Sequence, residues 1–334
     1  MNSFSQENLF KLYNNIKSVK NVVICSHLNP DADAIGSEIA FKNYLSSLSI
    51  DAQIINDSPI PYNIKFLDSE NQVQTYNTII HDSIILNADI IFILDLNDIQ
   101  RIKDMKEIVI NSKAKKIVID HHIEPKQFAD FYFIDEQASS TGELIWRILS
   151  KDNYKFTKET SISLYAAILT DTGCFRYNRT SPEVHYIIAE LIKYGANPTE
   201  IYDEIYNKFS FKALKLLGES FANMELFFDN KLCVMTITEK NFTSTGADEE
   251  DIENFVEKTL SIDGVKAGIL FVEIKNRNEI RISLRSKNEI NVREIAAKFG
   301  GGGHLQAAGL RMKNFTLENA KKEIINEFKN KFNN

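Results

Sequence analysis

Over the first two thirds of the chain, short apolar runs alternate with longer amphipathic stretches. Asn21–Ser26 (NVVICS), Asp51–Asn56 (DAQIIN), Asp89–Leu94 (DIIFIL), Lys116–Ile119 (KIVI) and a weaker Phe131–Ile134 read as buried strands. Apolar residues recur at helical spacing from about Asp33 to Leu48 and over Arg101–Val109. Near-continuous apolar strands alternating with helices predict an α/β fold, a mostly parallel sheet flanked by helices on both faces. After Ser139 the period becomes helical through Thr141–Leu149, Lys158–Leu169, Pro182–Tyr194 and Phe211–Phe227. Ser181, Pro182 and Glu183 form a helix start: a capping hydroxyl, a ring that presets φ, and an acid at the positive end of the dipole.

From about Leu232 the strand pattern returns in Leu232–Ile237, Ala267–Ile274 and Ile280–Ser286, with helical stretches at Glu249–Leu260, Val292–Phe299 and Leu317–Phe328. This predicts a second, smaller α+β domain at the C-terminal end. The expected division is 1–207, a connecting helix within 208–230, and 231–334; no Pro- or Gly-rich linker marks the join. A length of 334 residues fits two domains of ordinary size.

Composition narrows the class. Hydrophobic residues are 43% and charged residues 25%, the balance of a soluble globular chain. The 39 Lys and Arg against 46 Asp and Glu leave a net charge of −7, which argues against coating nucleic acid by charge alone and leaves room for a local basic cleft. No apolar stretch approaches the roughly 20 residues that span a bilayer, and the N-terminal segment lacks a signal-peptide core. Cys25, Cys174 and Cys233 are odd in number and far apart, so neither a disulfide framework nor a CxxC site is expected. These features predict a cytoplasmic protein with no membrane association.

Candidate chemistry lies where the strands end. NVVICS runs into His27, Asp31 and Asp33; DIIFIL runs into Asp95; KIVI runs into Asp120, His121 and His122. Parallel neighbouring strands would bring all seven to one sheet edge, where open α/β sheets bind ligands. Asp171 closes a helix in LTDTGCF and completes a set of five carboxylates and three imidazoles. Such a density of like charge needs counter-ions. Oxygen and imidazole donors without thiolate suit manganese, magnesium or iron, and the set is large enough for two divalent ions acting together on a phosphate ester. His81 and His185 lie outside the pattern and read as core or surface residues.

Residues 27–37 (HLNPDADAIGS) and 120–122 (DHH) resemble the signature motifs of the DHH phosphoesterase superfamily. Residues 170–173 (TDTG) look like its fourth motif, and Asp95 falls where its second belongs; the match runs over roughly 20–310. The resemblance implies one metal held by His27, Asp31 and Asp95 and a second by Asp33, Asp95, His121 and Asp171, Asp95 bridging. Asp120 would orient His121, and His122 would face the substrate phosphate.

In the second domain, four of the chain's 13 glycines stand together at 300–303, before His304. Such backbone can approach an anion closely, and a helix expected to follow over LQAAG would add a positive dipole end. Residues 265–313 hold ten Lys or Arg and four Asp or Glu, net +6. Arg281 and Arg285 share a strand face by period two. The string Leu284, Arg285, Ser286 with the glycine run and His304 resembles the DHH-associated domain. By that likeness Arg285 and Ser286 would take phosphate, and Gly301, Gly302, Gly303 and His304 would position a terminal nucleotide.

A two-domain chain of this kind is similar to the family members that hydrolyse short oligoribonucleotides to mononucleotides and remove the 3′-phosphate of 3′-phosphoadenosine 5′-phosphate (pAp). The expected partners are short RNA, pAp or other small nucleotides, held in a cleft too small for long duplex. A homodimer is left open. Two other readings stand beside this one: a phosphodiesterase for cyclic dinucleotides or their linear products, and a non-catalytic RNA-binding protein on the same scaffold. The GGGGH segment speaks against a family II pyrophosphatase, and the length against a RecJ-like exonuclease.

Overall fold

The computed structural model describes residues 5–332 except 253, 288, 289 and 304. The chain divides into two compact units, Met1–Lys208 and Phe209–Asn334.

The first unit is built on six parallel strands: β1 (Asn21–Cys25), β2 (Asp51–Asn56), β3 (Val73–Thr75), β4 (Ile90–Leu94), β5 (Lys115–Asp120) and β6 (Phe131–Ile134). They lie in the order β3-β2-β1-β4-β5-β6. The chain moves outward from β1 through β2 and β3, then resumes on the other side at β4. The reversal therefore falls between β1 and β4, where a crevice opens at the carboxyl ends.

Both sheet faces are buried, which is why the strands read as unbroken apolar runs. Ile24, Phe92, Ile117 and Ile119 pack with the helices Ala32–Ser47, Thr141–Lys151 and Lys158–Asp171. Val23, Ile91, Ile93 and Val118 pack on the opposite face with Ile85, Ile102, Met105 and Val109. Helix Ala32–Ser47 approaches helix Lys158–Asp171 closely: a Cβ on Gly36 would lie 2.3 Å from the Ser163 carbonyl oxygen. The expected helix at Arg101–Val109 is instead a 3-10 stretch, Ile99–Met105, followed by helix Lys106–Asn111, with Lys103 at φ 39 breaking the regular geometry.

The second unit carries β7 (Glu225–Phe227), β8 (Leu232–Ile237), β9 (Ala267–Ile274), β10 (Glu279–Ser286), β11 (Gly302–Gly303) and β12 (Ala307–Lys313), ordered β11-β12-β10-β9-β8-β7. Only β8 and β9 run parallel. One face packs on helices Val292–Lys298 and Leu317–Phe332 through Val292, Ile295, Ile324 and Phe328.

Three expectations change here. The helix expected over Phe211–Phe227 ends at Ala222, and Glu225–Phe227 pairs with Leu232–Val234 as a strand. That helix lies within the second unit, its Leu216 and Leu217 packed against Met235, Ile237 and Leu270. Glu249–Leu260 resolves into the 3-10 turns Glu249–Ile252 and Val256–Ser261. The LQAAG segment enters strand β12 rather than a helix, because Ala308, Leu310 and Met312 alternate into the core while β12 pairs with β10. Its Ala-rich helical propensity yields to tertiary pairing, and the helix dipole expected beside the glycine run is not there. Among the described residues no helix is long and apolar enough to cross a membrane.

Candidate metal centre

Each strand end at the β1–β4 reversal delivers ionisable groups. His27 follows β1. Asp31 caps helix Ala32–Ser47, its carboxylate accepting from the Asp33 and Ala34 backbone N–H at 3.0 and 3.1 Å. Asp33 sits in that helix's first turn. Asp95 follows β4 with φ 56, a left-handed conformation that strains a non-glycine residue. It is held there as its N–H donates to the Ile119 carbonyl at 3.0 Å. Asp120 ends β5 and is followed by His121 and His122; Asp171 is the last residue of helix Lys158–Asp171.

The side chains form overlapping groups. His27 Nε2 lies 3.4 Å from Asp95 Oδ2 and 3.8 Å from Asp31 Oδ2. His121 Nε2 lies 3.2 Å from Asp171 Oδ2, 3.5 Å from Asp95 Oδ1 and 3.7 Å from Asp33 Oδ2. One carboxylate, Asp95, thus faces both imidazoles with different oxygens. Potential ligand atoms of His27, Asp31 and Asp95 lie within 4.8 Å of one another, as do those of Asp33, His121 and Asp171 and those of Asp95, His121 and His122. His121 Nε2 is buried and makes no hydrogen bond despite these oxygens. A buried nitrogen facing three carboxylates, in a hard oxygen and imidazole donor set, fits a divalent cation.

Asp120 acts differently from the expectation that it orients the His121 ring. Its Oδ1 accepts from the His121 backbone N–H at 2.9 Å and meets His122 Nδ1 at 2.7 Å, so the ring it holds is that of His122.

Burial and neighbouring charge shift the titration of the clustered groups in opposite directions. Burial opposes charge on His27, yet Asp31 and Asp95 outweigh it and push the imidazole up to about 10. Burial raises Asp171 to about 6, helped by Asp31 and Asp95 against the pull of His121. Burial and the Asp95 and Asp171 charges raise Asp33. Asp95 falls well below the carboxylate range because His121 and His27 overcome its burial. Burial opposes charge on His121, yet Asp171, Asp95 and Asp33 outweigh it and hold its imidazole well above the usual histidine range.

Several supporting residues escaped the sequence reading. The start of helix Thr141–Lys151 grips Asp33: the Thr141 and Gly142 N–H groups donate to its two oxygens at 2.7 and 2.8 Å. Thr141 Oγ1 also donates to Asp95 Oδ1 at 3.0 Å. Ser140 caps that helix by accepting from the Glu143 N–H at 3.0 Å, and Glu143 accepts from the N–H and hydroxyl of Ser139, both at 2.7 Å. The S-x-x-E pattern at 140–143 was the available signal, a helix start aimed at the strand ends. Arg179 was also unforeseen; its Nη1 lies 3.3 Å from His121 Nδ1.

In the second unit, alternation along β10 places Arg281, Ser283 and Arg285 on the more open face and Ile282, Leu284 and Ser286 on the buried one. Arg285 and Ser286 therefore point to opposite sides. The Ser286 hydroxyl donates to the Ile290 carbonyl at 2.6 Å, while Arg285 Nε lies 3.3 Å from Glu257 Oε1. A Cβ on Gly301 would lie 2.3 Å from the Gly309 carbonyl oxygen and one on Gly303 2.4 Å from that of Ala307; at Gly302 it would meet nothing within 4 Å. Gly301 and Gly303 thus serve the hairpin, and Gly302 is left exposed. His304 lies outside the described residues.

Residues 21–170 match the DHH family, N-terminal domain, and residues 229–334 match the DHHA1 domain. The chain is 28% identical over 306 residues to the bifunctional oligoribonuclease and PAP phosphatase NrnA of Thermus thermophilus, covering 91% of this chain and 88% of that one. It is 26% identical over 302 residues to the protein of the same name from Bacillus subtilis, covering 90% and 91%. The crystal structure of an exopolyphosphatase-related protein from Bacteroides fragilis superposes with a TM-score of 0.93 at 31% identity, covering 99% and 98% of the two chains.

Proposed function

The chain belongs to the DHH family, and from that premise we propose that it is a metal-dependent phosphoesterase that hydrolyses short oligoribonucleotides to mononucleotides and removes the 3′-phosphate of pAp. The observation that carries this reading is Asp95, one carboxylate facing His27 through Oδ2 and His121 through Oδ1.

On this reading His27, Asp31 and Asp95 hold one divalent cation, and Asp33, Asp95, His121 and Asp171 hold the other. Bound there, the ions would supply Lewis acidity toward the phosphoryl oxygens and activation of the attacking water. The chain does the rest. Thr141 and Gly142 keep Asp33 turned inward, and Thr141 Oγ1 fixes the Asp95 oxygen that faces His121. Asp120 holds His122 through Nδ1, so that the ring presents its Nε2 side to a phosphoryl oxygen as charge develops. Phosphates further along the substrate are taken by Arg285 and by the open backbone at Gly302, with His304 assigned the terminal nucleotide. Ser286 has a structural role in this account, its hydroxyl being committed to Ile290. The shared name of the two NrnA relatives supports the choice of short RNA and pAp, and the overall negative charge suits a substrate too short to be captured by charge alone.

The test is manganese-dependent hydrolysis of a labelled RNA of two to five nucleotides, with pAp and a cyclic dinucleotide in parallel. Release of mononucleotides and of AMP, quenched by a chelator, is expected. Turnover of the cyclic dinucleotide alone would transfer the site to signalling-nucleotide cleavage. Inertness on all three with RNA binding retained would establish a non-catalytic binder.

A further inference from the structure

His27 follows β1, and the backbone on either side of it is anchored by a different kind of bond. The Leu28 N–H donates to the Arg101 carbonyl at 2.7 Å, main chain to main chain. The Ser26 N–H donates instead to a side chain, Oδ1 of Asn56, at 2.9 Å. Asn56 ends β2, whose paired register with β1 stops at Ile24 and Ile54. Its own carbonyl is turned to the other neighbour and accepts from the Tyr76 N–H at 2.8 Å. The Asn56 amide therefore carries the β1–β2 ladder one bond further, to the residue before His27.

That amide is held from behind. Its Nδ2 donates to Glu38 Oε2 at 2.8 Å, on helix Ala32–Ser47. An amide has a donor end and an acceptor end. With Nδ2 committed to Glu38, Oδ1 is the end left for Ser26; turned over, the amide would set its NH2 against an N–H. Burial lifts the Glu38 carboxyl to about 8 against its hydrogen bond from Asn56, so at neutral pH it is mostly an uncharged acid. Ser26, Asn56 and Glu38 are all fully buried, and Glu38 Oε1 has no hydrogen-bond partner. Burying polar groups with one left unpaired costs stability. The chain of three is better explained by what it positions than by what it stabilises.

We propose that Asn56 is a positioning residue for the metal site at His27: locked by Glu38, it fixes the backbone immediately before His27 and so keeps the imidazole turned to Asp31 and Asp95. This rests on the two-metal reading above and concerns one of the two sites. Thr141 and Gly142 hold Asp33 from the start of another helix, whereas Asn56 and Glu38 act on the β1 end. Among the described residues neither Asn56 nor Glu38 hydrogen-bonds a ligand of the second site.

The test uses the full chain. Manganese is titrated calorimetrically into metal-free wild type and variants, with Tm measured before metal and kinetics on a trinucleotide measured after loading. Wild type should take up both ions. Asn56→Ala should weaken one of them by about tenfold to a hundredfold, the range for groups that hold a ligand from behind, and leave the other as in wild type. Its kcat should fall by a similar factor while KM stays put, because substrate binding in the second unit is untouched. Should Asn56→Ala fail to fold, two changes at Glu38 carry the test. Glu38→Leu removes the acceptor that orients the amide and should weaken the same ion about threefold to tenfold. Glu38→Gln keeps an acceptor for Asn56 Nδ2 and should match wild type. Loss at one site only, with recovery in Glu38→Gln, is what a merely structural network would not produce. Equal weakening of both ions, or a Glu38→Gln defect as large as that of Glu38→Leu, would overturn the proposal. If wild type binds both ions and turns over short RNA while the variants keep both affinities, the positioning role alone fails; if wild type takes up no manganese, the two-metal reading fails and this role with it.

Discussion

The ligand cluster of the first unit and the basic face of the second are made by different means. The cluster draws on three strand ends and three helix ends, and its Asp33 and Asp95 are each held by at least one donor from a separate element. Most of its side chains are buried. The second face is one strand and a hairpin: Arg281 and Arg285 project from β10, and Gly302 and Gly303 pair with β12. A multi-element, desolvated site is preorganised for making and breaking bonds. A half-open strand face suits holding a chain of phosphates whose length varies. Rigidity is concentrated where bonds would be broken, so the two regions should fail in different kinetic constants.

The largest effect separates them directly. Asp95→Asn keeps the shape but removes the negative charge shared by His27 and His121. It should lower kcat by about a thousandfold or more, beyond the tenfold to hundredfold typical of residues that only support ligands. Arg285→Ala should instead raise KM about tenfold with kcat near wild type, the signature of lost uniform binding. Steady-state kinetics on a trinucleotide checks both. A kcat collapse in Arg285→Ala would mean that the second region takes part in the chemistry.

A second test turns on protons. In the metal-free protein His27 is raised to about 10 from its ordinary value of 6.5, and Asp171 to about 6 from 3.8. Between 3.8 and 6 the folded state holds more protons than the unfolded state at Asp171, and between 6.5 and 10 it does so at His27. Both contributions to stability are present at low pH and lost as pH rises through the folded values. Metal binding must displace such protons, so manganese affinity should rise by up to about tenfold per pH unit for each proton released. The metal-induced gain in Tm should widen from pH 6 to pH 8.5. Affinity independent of pH over that range would mean that His27 is neutral in the empty site. The second region should show no comparable pH dependence.

The same contrast governs how much the sequence revealed. The cluster was legible because parallel buried strands are runs of β-branched residues whose ends are easy to find; β2 and β6 fall at the expected residues. The short edge strand Val73–Thr75 was not, being only half-buried and lacking such a run. Thr141 and Gly142 were missed because they hold Asp33 with backbone N–H groups, which every residue but proline possesses. Arg179 was missed because its partner is 58 residues away, and no local pattern marks it. In the second unit the helix start expected after Gly303 was wrong because Ala-rich local propensity lost to pairing with β10. Arg285 and Ser286 looked like a pair, yet adjacent residues on a strand face opposite ways.

The smallest expected effect is the sharpest test of the glycine run. Gly301→Ala would push a methyl to 2.3 Å from the Gly309 carbonyl and 2.6 Å from Leu310 Cβ, so it should cost about 1–3 kcal/mol of stability through forced backbone shift. Gly302→Ala meets nothing within 4 Å and should leave Tm unchanged. Nothing in the fold accounts for a missing side chain at 302. If that space is kept for a substrate phosphate or sugar to touch the backbone, the alanine variant should raise KM about threefold while folding normally, since bare backbone permits the closest approach. Thermal melts and KM measured on the same preparations decide it. An unchanged KM would remove Gly302 from the binding face and leave the arginines of β10 to carry it.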